Sequence, residues 1–230
     1  MIIIYNSNYD LIINTIEYIY SIFGNLFFNE YFPRLNYVYT NANPSTYKSI
    51  QIINGLQSIT QDSKTAYNTR IVQATSSDAV DAIVSLAIKV NDSIPIINGL
   101  QSITQDLKTV YNTRIVQATS NNDVDAIVSA AKKINDSIQI INGLQSITQD
   151  SKTAYNTRIV QATSSDDVDA IVSEAKKIND SIQIINGLQS ITQDSKTAYN
   201  TRIVQATSSD DVDAIVSEAK KINDSIQIIN

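Results

Sequence analysis

The string Asn-Gly-Leu-Gln-Ser-Ile-Thr-Gln-Asp begins at Asn54 and returns at Asn98, Asn142 and Asn186, a period of 44 residues. Tandem units at such a period share a core that none completes alone, so the repeat restricts the fold before any single residue does. Residues 142–185 and 186–229 are identical, and units 54–97 and 98–141 each differ from the last unit at five positions. This is recent duplication. The chain stops at Asn230, which opens a fifth unit.

Within the third unit Val168, Ile171, Ala175, Ile178, Ile182 and Ile185 follow spacings of 3, 4, 3, 4 and 3. That is an a/d stripe on one helix face. Val172 and Ile184 widen it, while Asp169, Ser173, Glu174, Lys176, Lys177, Asn179 and Asp180 form the polar outer face. Ser164, Ser165, Asp166 and Asp167 supply cap and first-turn chemistry. The pattern predicts a helix from about Asp166 to about Gln189, roughly 35 Å long at 1.5 Å per residue. A second helix starts behind Thr192 as N-cap and reaches Ala206, with Tyr199, Ile203 and Ala206 on one face. Asn-Gly at 54–55, 98–99, 142–143 and 186–187 falls near a helix end. Pro95 stands where the other units have Gln, inside the first shared helix. It lacks the N–H that would bond the carbonyl of Asn91, which predicts a kink or break around Asn91–Pro95.

The expected fold is all-α: three-helix-bundle repeats of 44 residues, joined by shared long helices into a rod. The predicted divisions are 1–44, an apolar aromatic-rich segment and linker; 45–97, the first module; then 98–141, 142–185 and 186–230. A HEAT-type solenoid has a compatible period, but its helices are more equal in length than the ~24 and ~15 residues read here from heptad spacing.

Composition narrows function. The chain has no Cys, His or Trp. That removes disulfides, Cys/His zinc sites, and Ser-His or Cys-His nucleophile pairs. A net charge of -6 argues against nucleic acid. No catalytic constellation, cofactor motif or metal motif stands out. Asp166-Asp167-x-Asp169 lacks the Gly and distal Glu of a calcium loop and reads as helix-start chemistry. Asn-Asp-Ser at 91–93, 135–137, 179–181 and 223–225 matches a glycosylation acceptor but lies mid-helix.

The carrying residues Ile141-Asn142-Gly143-Leu144, Ile147-Thr148-Gln149-Asp150-Ser151-Lys152, Tyr155, Ile159, Ala162, Val168, Ala170-Ile171 and Glu174-Ala175 resemble the GA-type (protein G-related albumin-binding) module of Gram-positive surface proteins. The resemblance covers about 45–230. It implies three-helix bundles on a bacterial surface, some members binding serum albumin through the second helix and its flanks. The matching aromatic is Tyr67, Tyr111, Tyr155 and Tyr199. Three residues later, where albumin-binding members usually carry an apolar residue, stand Arg70, Arg114, Arg158 and Arg202. These eight residues are the candidate protein-binding positions. Each tyrosine reads either as an interface anchor or as a core residue with its hydroxyl at the rim, and each arginine either as part of that face or as a solvated charge.

Residues 1–53 hold 12 of the 16 aromatic residues. Residues 11–28 are apolar, but Asp10, Asn14, Glu17 and Asn25 interrupt a signal or membrane-span reading. Three readings stand: a helix docked on the first bundle, an interfacial or membrane contact, and a product of a truncated upstream reading frame. Leu86 and Ile88, where the last unit has Glu218 and Lys220, favour docking by residues 9–28. Asn41–Pro44 reads as a linker, with Ser45 capping the first bundle helix. The expected function is non-enzymatic binding of a host serum or extracellular-matrix protein at the cell surface, albumin being the named candidate. The alternative is a structural spacer or intracellular scaffold. No convincing signal peptide or wall-sorting motif accompanies the surface reading.

Overall fold

The computed structural model describes residues 44–229, and all regular structure among them is helical. The helices are α1 (Pro44–Gly55), α2 (Gln61–Gln73), α3 (Ser77–Gly99), α4 (Gln105–Val116), α5 (Asn121–Gly143), α6 (Gln149–Gln161), α7 (Ser165–Gly187), α8 (Gln193–Gln205) and α9 (Ser209–Ile229). Two compact units divide the chain, one ending at Asp92 and the other beginning at Ser93. The first contains α1 packed on α2. In the second, α5, α6 and α7 touch pairwise, as do α7, α8 and α9. Within this unit α7 thus serves two successive three-helix bundles: its N-terminal half closes one and its C-terminal half opens the next.

The a/d stripe explains the packing. Val168, Ile171, Ala175, Ile178, Ile182 and Ile185 are all buried, and Ile159 and Ile185 are fully inaccessible. Burying such a side chain contributes about 1.5–3 kcal/mol. Val172 joins them, but Ile184 is exposed and does not widen the stripe.

Caps fix the element ends. The Thr148 side chain accepts the N–H of Ser151 at 3.2 Å, and that of Ser164 accepts the N–H of Asp167 at 3.0 Å. Each satisfies one orphan donor of a helix start. Thr192 caps α8, as the pattern predicts, and the helix ends at Gln205, with Ala206 as its C-cap rather than its last residue. Every Asn-Gly pair lies at the end of its helix. None of Gly55, Gly99, Gly143 and Gly187 has a positive φ, and an added Cβ would meet nothing within 4 Å. The long helices carry no basic residue in their last turns. Lys152 of α6 supplies one from outside, donating to the carbonyl of Asn142 at 3.0 Å, as Lys196 does to Asn186. A cation there answers the negative end of the helix.

Three expectations need correction. Asn179 does not belong to the outer face; it is buried, and its Oδ1 accepts the N–H of Ser146 at 2.8 Å. The same bond joins Ser58 to Asn91, Ser102 to Asn135 and Ser190 to Asn223. It ties the loop before each short helix to the long helix 33 residues on. The helix around Pro95 is not broken: α3 runs from Ser77 to Gly99. Pro95 sits at an exposed position, where water can satisfy a freed carbonyl. Val90 before it and Ile97 after it are fully buried and hold their turns in place. Finally, α1 begins at Pro44 rather than behind Ser45. Proline suits a first helical position because its missing N–H would be unpaired there anyway.

Leu86 is buried at 3% exposure and Ile88 is 37% exposed, so only the first has left solvent. The docking and membrane readings of residues 9–28 lie outside the described residues. Among the described residues, no helix is long and apolar enough to cross a membrane.

Candidate functional site

Each short helix places its tyrosine and arginine one turn apart on one face, so the arginine folds back over the ring. Tyr67, Tyr111, Tyr155 and Tyr199 are all buried, with exposures of 4–7%. Arg70 and Arg114 hold their guanidinium carbon 5.5 Å from the ring centroid, and Arg158 and Arg202 hold theirs at 5.3 Å. That is cation–π range. The tyrosines are therefore core residues, and the arginines form the accessible part of the candidate face.

A third residue completes the arrangement in the last two modules. Glu174 of α7 receives two bonds from Arg158, Nη1 to Oε1 at 2.9 Å and Nη2 to Oε2 at 2.8 Å. The Tyr155 hydroxyl donates to Oε1 of the same carboxylate at 3.1 Å. Tyr199, Arg202 and Glu218 repeat the clasp. A fork-to-fork pair of this kind fixes geometry as well as charge. Burial, then the Glu174 charge and its hydrogen bond, push the Tyr155 hydroxyl up to about 12 against the opposing pull of Arg158. The Arg158 hydrogen bonds hold Glu174 below its ordinary value. Tyr67 and Tyr111 are also raised, by burial, with only their arginines opposing.

The first two modules lack the acid. Leu86 and Ala130 occupy the position of Glu174. Among the described residues, no carboxylate pairs with Arg70 or Arg114. From the sequence, Glu174 reads as an outer-face residue and as part of the GA-type pattern, with no partner assigned. Its role needs the 16-residue separation from Arg158 to be closed by the bundle. The one sequence signal available was that this position varies among otherwise near-identical units.

Beside two of these clusters runs a groove between successive modules. One, of about 350 Å³, is lined by Tyr111, Arg114, Ala130, Lys133 and the turn 162–165. The other repeats it with Arg158, Glu174, Lys177 and the turn 206–209. Ion pairs Lys133–Asp169 and Lys177–Asp213 link neighbouring long helices there. Among the described residues, no group of three or more acids could hold a metal ion.

The profile of the GA module matches four stretches, 48–93, 86–137, 133–181 and 179–225. The chain belongs to the GA module family. Each GA match starts within one long helix, or in α1, crosses a short helix and ends within the next long one. Among curated proteins, no significant match was found. Among solved structures, the chain is similar to the crystal structure of EbhA (756–1003 domain) from Staphylococcus aureus. The identity is 18%, over 77% of this chain and 98% of that one, with a TM-score of 0.28. The GA module is a family of binding modules rather than of enzymes.

Proposed function

We propose that this chain is a non-enzymatic surface-type protein that binds a host serum or extracellular-matrix protein, with albumin the first candidate. The observation that carries the reading is four GA modules in tandem over residues 48–225. The proposed contact face is the short helix of each module, centred on Arg70, Arg114, Arg158 and Arg202 above their tyrosines. Val72, Val116, Val160 and Val204 recur on the same helices, and all four are exposed. A repeated arginine with nearby apolar surface suits an interface, where arginine is enriched. Tyr67, Tyr111, Tyr155 and Tyr199 contribute by supporting the arginines, since a buried ring offers a partner little surface.

The test is capture from serum by the immobilised full chain, compared with a variant carrying Arg→Ala at 70, 114, 158 and 202. Albumin retained by the wild type and lost in the variant, at unchanged helical circular dichroism, is the expected result. No serum or matrix protein retained by either leaves the chain as a structural spacer or intracellular scaffold.

A further inference from the structure

We infer that the second module carries an open carboxylate receptor, formed by Arg114 and Tyr111 beside Ala130, which takes an acidic side chain from a partner protein. The protein itself displays the filled form. In the third module the Glu174 carboxylate sits in the fork of Arg158 and accepts from the Tyr155 hydroxyl. In the fourth, Glu218 does the same for Arg202 and Tyr199. The second module keeps both donors. Arg114 lies over the Tyr111 ring at 5.5 Å, as its counterparts lie over theirs. Only the acceptor is missing, because Ala130 ends at Cβ.

Two observations separate this position from its relatives. Tyr111 lines the groove beside it, whereas Tyr155 does not line the corresponding groove, in which Glu174 appears instead. In the first module the equivalent position is filled by Leu86, which is buried and apolar. The second module alone therefore combines a small residue with an arginine that has no acid among the described residues. Lys133, also in the groove, is engaged by Asp169. A carboxylate entering from outside would find the guanidinium fork and phenol that hold Glu174 two-pronged, which is the geometry arginine favours for carboxylates. This deepens the protein-binding reading and rests on it for the source of the carboxylate.

The test is nuclear magnetic resonance of the full chain labelled at arginine, titrated with N-acetyl-glutamate α-amide as the side-chain probe and N-acetyl-alanine as a chain-terminus probe. The side-chain probe should shift the Arg114 Nε–H and leave those of Arg158 and Arg202 in place. Ala130→Glu should abolish that shift and raise the alkaline titration midpoint of Tyr111 towards that of Tyr155. Arg114→Lys should also lose the response, since an ammonium lacks the fork. The proposal is overturned if Arg114 responds no more than Arg158 and Arg202, or if Ala130→Glu leaves the response intact. A stronger response to N-acetyl-alanine would replace the side-chain source with a chain terminus. Serum capture reads the general binding function separately, so loss of one result does not entail loss of the other.

Discussion

Glu174 shows how much one residue decides. It adds to burial in raising the Tyr155 hydroxyl and is itself lowered by Arg158. Because the folded value of Tyr155 lies above its ordinary 10.0, its contribution to stability is complete below pH 10 and is lost as pH rises through about 12. Glu174 behaves oppositely. Its contribution is present above its ordinary 4.5 and is lost as pH falls through the lowered folded value. Glu174→Gln removes the charge, so absorbance titration of the tyrosines should show the Tyr155 midpoint falling below about 12. Stability at pH 7 should drop by only about 0–1 kcal/mol, because the pair is half exposed. Asn179 is the contrasting case. Asn179→Ala strands the N–H of Ser146 and should cost about 1–3 kcal/mol in urea unfolding.

At the scale of elements, helix ends are governed by short-range chemistry. Thr and Ser side chains start the helices, and Asn-Gly lies where the long ones stop. The glycines there occupy open space in ordinary backbone geometry. Gly143→Ala and Gly187→Ala should therefore stabilise the protein, by about 0.4–1 kcal/mol each, because they narrow the unfolded ensemble without native strain. A combined variant unfolding at lower urea than the wild type would contradict that account. The ends were legible because a cap needs only residues within four positions of it. The fate of Pro95 was not. A proline penalty is a local expectation, and the buried turns around Val90 and Ile97 outweighed its ability to break the helix.

For the whole molecule, the shared long helix makes neighbouring modules interdependent. Units 142–185 and 186–229 are identical, so excising 142–185 rejoins the chain in the same register. The shortened protein should remain folded and helical. Its urea m-value should fall roughly in proportion to the surface removed, as expected when stability is a sum of repeat and neighbour terms. An unchanged m-value would show that the modules unfold separately from one another.

The sequence by itself determined the period, the helical class, most of the buried stripe and the caps, because each is written in residues three to four positions apart. It also brought Tyr155 and Arg158 onto one face. Tertiary structure decided what joins them. The Glu174 clasp, the Asn179 tie to Ser146, the Lys152 cap on Asn142 and the pairing of Lys133 with Asp169 span 10 to 36 residues of chain. A polar side chain on a helix looks solvated until a neighbouring helix supplies its partner. That is why Asn179 and Glu174 both read as surface, and why the vacancy at Ala130 acquires meaning only beside the filled sites of the next two modules.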